Sequence, residues 1–386
     1  MHAYIASRYD QFLQDLETLV NVDSGSGHAP GLSRVARFFQ ERFDQLGWHT
    51  RALEFDGGSA PCLEVINRRG LPADPPFDFL FLGHMDTVFP EGTALQRPFS
   101  IRDGRAYGPG VCDMKGGLVT MLHAAEAIEQ AGLAGALSIC MAFNSDEEIG
   151  SHASRAWFEG LAAKSRRVLV FEPCRSTGQR VLQRKGVADF EVLCHGRAAH
   201  AGVEPEKGAN AVLELAHQVL AVTGFARPEA GTTVNVTTIT GGRAGNVIPD
   251  FAQAGFDVRI AGLEEARRIE GCFQNLSASG QANGVRVEVR GEINRMPMVP
   301  SEATWRLWEQ IARIGEGLGL EMKRISTGGG SDGNFTAAMG IPTVDAMGPR
   351  GGRAHSPDEY LELDSVVPNI RLICEILKAA AENRLP

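Results

Sequence analysis

"FDFLFLGHMDT", residues 77–87, decides how this chain is built. Its apolar run, 77–83, has the length of a strand buried on both faces, the usual state of a strand inside a parallel sheet. The run stops at a histidine and an aspartate. Two further stretches repeat the design: "ALSICMAFN" (136–144) leads into "SDEEIGS", and "RRVLVFE" (166–172) ends on Glu172. A helical pattern over about 115–131 follows "DMKGG", so buried strands alternate with helical segments. That rhythm reads as an α/β domain, a mostly parallel mixed sheet flanked by helices. In such sheets functional residues gather beyond the carboxyl ends of the strands, where His84, Glu147 and Glu172 stand.

Upstream, the reading gives helices near 4–21 and 31–46 and strands near 49–55 and 62–67. Downstream, the rhythm changes after about residue 186. "VADFEVLC" alternates like a half-exposed strand, "GANAVLELAHQVLAVTG" is helical, and "TTVNVTTIT" and "FAQAGFDVRI" are alternating strands. "EEARRIEGCFQNL" is helical and "VRVEVRG" is again a strand. This β-α-β-β-α-β order is the split βαβ motif, which closes as a four-stranded antiparallel sheet with two helices. Past about 293 come a helix (302–318), the loop "STGGGSDGNF", a short strand near "PTVDAM", the loop "GPRGGRAHSPDEY" and a last helix from about 364. The expected organisation is therefore a catalytic domain in two segments, 1–185 and 293–386, interrupted by an inserted α+β domain, 186–292.

With 386 residues the chain has room for two cores, since single cores stop growing at about 250–300 residues. Its 43% hydrophobic and 22% charged residues are those of an ordinary globular protein. A formal charge of -9 argues against tracking a nucleic-acid backbone, which needs a basic face. The seven cysteines show no CxxC spacing and suggest a reducing compartment over a disulfide framework. The first twenty residues carry charges where a signal peptide needs an apolar core, and no apolar stretch approaches the roughly 20 residues that span a bilayer. The expectation is a cytoplasmic protein with neither nucleic-acid nor membrane partner.

Five residues at loops or strand ends are candidate metal ligands: His84, Asp113, Glu148, Glu172 and His355. Imidazole nitrogen and carboxylate oxygen without cysteine suit zinc, with manganese or cobalt as alternatives. Five ligands suit two metals sharing a carboxylate better than one. Asp86, two residues after His84, is placed to accept the imidazole N–H that faces away from a metal, which fixes tautomer and basicity. Glu147 and Glu148, adjacent on a segment expected to be extended, would point to opposite sides and serve different partners.

The motifs "GHMDTVFP", "AYGPGVCDMKGG", "NSDEEIGS", "FEP", "HAG", "GNVIPD", "DVR", "TGGGSD" and "AHSPDE" occur in this order between about Gly83 and Tyr360. Their order and spacing resemble the M20 metallopeptidase family, which includes glutamate carboxypeptidases, acetylornithine and succinyl-diaminopimelate deacylases, and aminoacylases. The resemblance implies a di-zinc catalytic domain interrupted by a smaller domain that carries the contact of a homodimer. It assigns His84 and Glu172 to one metal, Glu148 and His355 to the other, and Asp113 to both, so that the metals share a hydroxide and polarise the scissile carbonyl. Glu147 then becomes the general base that passes a proton to the leaving nitrogen. Its carboxylate neighbours raise its pKa and the metals lower it.

The same resemblance makes His200 the donor that stabilises the tetrahedral oxyanion across the dimer. It gives Arg259 and Asn246 to the substrate carboxylate, for which a planar guanidinium is suited, and brings the backbone of Gly328, Gly329 and Gly330 close to the ligand. Arg180 offers a further contact to an acidic side chain. His123, on a helix face, and His152, where a helix begins, read as structural or solvated. Cys112 has no identifiable base, and the glycine loops lack phosphate-loop spacing.

The motifs imply an amidohydrolase that cleaves a peptide or N-acyl bond beside a free carboxylate, and "AYGPGVCDMKGG", "TGGGSD" and the spacing from Asn246 to Arg259 look most like the glutamate carboxypeptidase branch. The alternatives are an N-acyl-amino-acid deacylase of the same mechanism and, in another class, a non-catalytic metal-dependent binding protein on this fold. Retention of Glu147 argues against the last.

Overall fold

A computed structural model describes residues 1–67, 76–278 and 284–386. Its contacts divide the chain into two compact units. The first comprises Met1–Gln183, Pro300–Ser326 and Ser331–Pro386, and the second Arg184–Val299 with Thr327–Gly330.

The first unit is built on a six-stranded mixed sheet in the order His49–Leu53, Cys62–Ile66, Ile139–Asn144, Phe79–His84, Val168–Val170, Thr343–Val344. The last four run parallel and the first two are antiparallel. Every residue of Phe79–His84 and of Ile139–Asn144 is buried, as the continuous apolar runs require of strands covered on both faces. Their register sets His84 opposite Asn144, so the two strands end level. The helix Gly116–Gln130 is buried almost all round, from Gly116 to Ile128, and the helices Tyr9–Val20, Ala29–Gln45 and Val366–Ala381 complete this core. Two expectations are refined. The first helix is broken at Arg8 into His2–Ser7 and Tyr9–Val20. A small sheet of Gly351–Gly352, Tyr360–Glu362, Arg105–Tyr107 and Ser100–Arg102 is present that the sequence did not signal, because its strands span only two or three residues.

The second unit is the β-α-β-β-α-β arrangement, with strands ordered Thr233–Gly241, Phe251–Ile260, Gly186–His195, Arg286–Arg295, all antiparallel. Phe251–Ile260 alternates exposed or half-buried residues with buried ones along its whole length, the period of a sheet covered on one face. That face packs under Ala211–Thr223 and Leu263–Ala278 in a separate core around Phe190, Phe256 and Phe273. The last strand continues to Arg295, past the expected boundary at 292, and the loop Thr327–Gly330 also belongs to this unit.

Candidate metal centre

Strand ends, two turns and the small sheet bring the proposed ligands of the first unit into one cluster. His84 closes the strand Phe79–His84 and is buried. Its Nδ1–H donates to the backbone carbonyl of Asp86 at 3.0 Å, since a carbonyl only accepts, which leaves Nε2 with its lone pair free when the ring is neutral. Nε2 lies 3.2 Å from Oδ1 of Asp113 and 3.5 Å from Oε1 of Glu172. On the other side, Nε2 of His355 lies 3.3 Å from Oδ2 of Asp113 and 3.1 Å from Oε2 of Glu148. Ligand atoms of His84, Asp113 and Glu172, and those of Asp113, Glu148 and His355, fall within 4.8 Å of one another. Asp113 thus turns one oxygen to each trio.

The two glutamates of "NSDEEIGS" sit on a 3₁₀ turn, Glu147–Ile149, and not on the extended segment expected of them. Asp146 accepts from the backbone N–H of Ala153 and the hydroxyl of Ser154, and Gly150 takes φ 103°, so the chain is turned as soon as the strand ends. The Asp86 carboxylate holds that turn. It accepts the N–H groups of Glu147 and Glu148, each at 3.1 Å, and the Ser26 hydroxyl at 2.7 Å. Its Oδ1 stands 3.4 Å from His84 Nδ1, so the backbone carbonyl of Asp86, more than its side chain, orients the imidazole.

Glu359, the last residue of "AHSPDE", is the clamp of the site. It is buried, and its two oxygens accept from the N–H groups of Gly110 (3.0 Å), Cys112 (2.8 Å) and Asp113 (2.8 Å). Four residues before it, His355 has φ 63°, the left-handed region that a histidine seldom occupies. The pairing of Tyr360 with Tyr107 brings the two loops together. Lys115, also buried, donates Nζ to the carbonyls of Val22 (2.9 Å) and Pro109 (3.2 Å), and burial brings its pKa down to about 8. No sequence pattern announces these roles, because the partners are backbone groups. Asp332 of the "TGGGSD" loop accepts from Asn144 and Ser151 and so braces the end of the Ile139–Asn144 strand.

Negative charge dominates the cluster. Among the described residues no lysine or arginine pairs with Asp113, Glu148 or Glu172; their cationic partners are histidines alone. Burial, with Asp113 adding to it, pushes the Glu172 carboxyl up to about 7. Hydrogen bonds to Asp113 and Glu148 raise His355 to about 10. For His84, burial opposes protonation, yet Asp113, Asp86 and Glu172 together hold it well above its ordinary value. For Asp113, burial opposes ionisation and the hydrogen bonds from His355 and His84 outweigh it, so its pKa is lowered. Oε1 of Glu148 is buried with no hydrogen-bond partner. An orphaned carboxylate oxygen, two histidines drawing protons, and a donor set of nitrogen and oxygen without sulfur fit one or two divalent cations. Burial pushes the thiol of Cys112 well up, which suits a structural cysteine and not a nucleophile.

Arg180 is buried in the first unit, and its guanidinium donates to the carbonyls of Ala346 (2.8 Å) and Gly348 (3.0 Å) and to Oδ1 of Asn369 (2.6 Å). These bonds tie both terminal nitrogens to the fold and leave Nε buried without a partner.

In the second unit His200 is exposed, bridged to Val247, and its Nδ1 accepts the N–H of Gly202 at 3.2 Å, which places the proton of the neutral ring on Nε2. Ala201 donates to the carbonyl of Asn246 at 2.9 Å, so the loops that carry His200 and Asn246 lie side by side. Arg259 is paired with Asp257 through Nε (3.0 Å) and Nη2 (2.6 Å). The carbonyls of Gly329 and Gly330 accept from Arg184 at 3.1 and 3.2 Å, and a Cβ on Gly330 would meet Val187 at 2.9 Å.

The chain is similar to known proteins over most of its length. The model of peptidase family M20/M25/M40 matches residues 80–379. Carboxypeptidase G2 of Pseudomonas sp. (strain RS-16) is 28% identical over 95% of this chain and 88% of its own length. A succinyl-diaminopimelate desuccinylase of Azoarcus sp. (strain BH72) is 29% identical over 92% of this chain and 95% of its own. Among solved structures, an M20 family metallo-carboxypeptidase from Sulfolobus solfataricus superposes with TM-score 0.75 at 19% identity, covering 96% of this chain and 99% of that one.

Proposed function

The chain belongs to peptidase family M20/M25/M40 and is an enzyme of that type; from that premise we propose that it is a di-metal amidohydrolase which cleaves a peptide or N-acyl amide bond beside a free carboxylate. The observation that carries this reading is Asp113, whose two oxygens face two separate ligand trios while Glu147 belongs to neither. His84 and Glu172 would hold one cation, Glu148 and His355 the other, and Asp113 would serve both. When bound, the pair, zinc in this reading with manganese or cobalt as substitutes, supplies Lewis acidity and lowers the pKa of water.

This chain's residues do the rest. Glu147, buried on a turn that Asp86 fixes, takes a proton from the attacking water and delivers it to the leaving nitrogen. His200, reaching across the proposed dimer, donates its Nε2–H to the oxyanion. Arg259 and Asn246 receive the substrate carboxylate, with Arg259 sharing its fork with Asp257. A homodimer through the second unit is supported by its edge strand, Thr233–Gly241, which exposes Val236 and Ile239, and by Leu213 and Leu220 exposed on the helix Ala211–Thr223. No helix among the described residues is long and apolar enough to cross a membrane, and we place the enzyme in the cytoplasm.

Within the family we favour C-terminal glutamyl substrates, supported by the likeness to carboxypeptidase G2. The desuccinylase likeness at similar identity supports N-acyl amino acids as the second reading. A panel of C-terminal glutamyl peptides against N-acetyl and N-succinyl amino acids, run with and without chelator, tests both. Faster turnover of the glutamyl peptides, abolished by chelator, is expected. Preference for the acyl compounds would reverse the ranking, and turnover indifferent to chelator would sink the metal mechanism.

A further inference from the structure

A cavity of about 290 Å³ opens within the first unit, and none of the five proposed ligands lines it. Arg180 and Arg350 stand in its wall with Leu320, Met322, Pro368 and Asn369. Arg180 is only 5% exposed, and among the described residues no carboxylate pairs with it; its acceptors are two carbonyls and an amide oxygen. A buried cation without a counter-ion is costly unless something compensates it. Its Nε is buried and lacks a partner, and so does Nε of Arg350. Arg350 pairs with Asp364, a largely exposed residue of the same wall. The first turn of the helix Val366–Ala381 reaches the same cavity through Ser365, Pro368 and Asn369 and contains no acidic side chain, so the positive end of its dipole adds to the two guanidinium groups. Leu320, Met322 and Pro368 give the wall an apolar part, and its two carboxylates are already paired, Asp364 with Arg350 and Glu321 with Lys323, which leaves Arg180 as the charge without a counter-ion.

We propose that this cavity is a binding site for a small organic carboxylate, its charged end set against Arg180 and Arg350 and its carbon chain against Leu320 and Met322. The site is separate from the proposed metal centre yet joined to it through the backbone. Cys174 donates to the carbonyl of Pro349 (3.1 Å) and Gly351 to that of Cys174 (3.3 Å), so an occupant bears on the two segments that carry Glu172 and His355. A planar guanidinium fork matches a carboxylate, and the apolar wall favours a ligand with a hydrocarbon tail over a bare inorganic anion.

The test is calorimetric titration of the chelated full-length protein with hexanoate, with hexan-1-ol and inorganic phosphate as comparison ligands. Hexanoate is expected to bind at least tenfold more tightly than either, and to raise the melting temperature by linkage. Arg350→Gln, which removes a charge from the wall, and Leu320→Trp, which fills the space, should each weaken hexanoate at least tenfold. Circular dichroism of each variant establishes that it is folded, and if one is not, the other decides. His355→Ala should leave hexanoate binding unchanged. The proposal is overturned if hexanoate produces neither heat nor a melting shift, if the folded variants bind it as wild type does, or if His355→Ala abolishes binding. Equal binding of phosphate would overturn the assignment to organic carboxylates.

Discussion

Two buried acidic clusters sit in the first unit and meet different fates. At the strand ends, Asp113, Glu148 and Glu172 are gathered around two histidines with no arginine or lysine paired to any of them among the described residues. Between the helices Tyr9–Val20, Ala29–Gln45 and Gly116–Gln130, Asp15 and Glu126 are buried outright but lie within reach of Arg42, Arg8 and His123. Arg42 reaches Asp15 at 2.6 Å and pairs with Glu126 as well; His123 Nε2 reaches Asp15 at 2.9 Å, and Arg8 lies 3.6 Å from Glu126. The second cluster supplies its own cations and is part of the fold. The first leaves its carboxylates short of positive charge and asks for it from outside. A buried carboxylate near a histidine therefore carries little functional meaning until its cations are counted.

The largest effect that would sharpen this contrast lies in the acid that neither cluster needs. Glu147→Gln should lower kcat by about 10² to 10⁴ while leaving metal content and melting temperature close to wild type; unchanged turnover would place the proton carrier elsewhere. In the helical cluster the corresponding loss is one of stability. Asp15→Asn leaves Arg42 and His123 with Glu126 as their remaining anion and should cost about 1.5–3 kcal/mol in urea unfolding, with metal content unaltered. Burial works to raise the Asp15 carboxyl, but His123, Arg42 and Gln11 outweigh it and its pKa is lowered. The stability it contributes is thus complete above the ordinary carboxylate range and is lost as pH falls through the lower folded value. A variant as stable as wild type at pH 7 would contradict the self-neutralised reading.

A smaller change tests the clamp. Glu359→Gln exchanges a carboxylate oxygen for an amide and should weaken metal binding by about 10- to 100-fold without removing a ligand, read by competition with a chromophoric chelator. Wild-type affinity would reduce Glu359 to a loop contact. The smallest effect is a reversal of sign. Because burial and Asp113 raise Glu172 to about 7 in the metal-free protein, its charged form opposes folding, and stability falls as pH rises from the unfolded value through the folded one. Glu172→Gln should then raise the melting temperature of the chelated protein at pH 8 by a few degrees, on the order of 1 kcal/mol, while it loses metal. A lower melting temperature would mean that this cluster, like the one at Asp15, is structural.

The sequence carried the frame of the site and missed its fastenings. Continuous apolar runs of strand length, bounded by turns, read as strands covered on both faces, and this placed His84, Glu147 and Glu172 at strand ends. The alternation in "FAQAGFDVRI" marked a one-sided sheet in the second unit, although the last strand outran its expected end by reaching Arg295. What escaped was set by backbone partners. Asp86 lends its carbonyl to His84 and its carboxylate to the glutamate turn, and Glu359 holds three N–H groups that no residue pattern encodes. Arg180 spends Nη1 on carbonyls of its own fold, a use that its place in the sequence does not announce. The small sheet that joins the Asp113 and His355 loops was hidden because strands of two or three residues carry no readable period.

The central claim is that Asp113 holds two cations at once, and metal content per chain, measured on wild type and on Asp113→Asn, addresses it most directly. The account predicts two equivalents of divalent metal in wild type and the loss of both in the variant. A single equivalent that survives Asp113→Asn would contradict it.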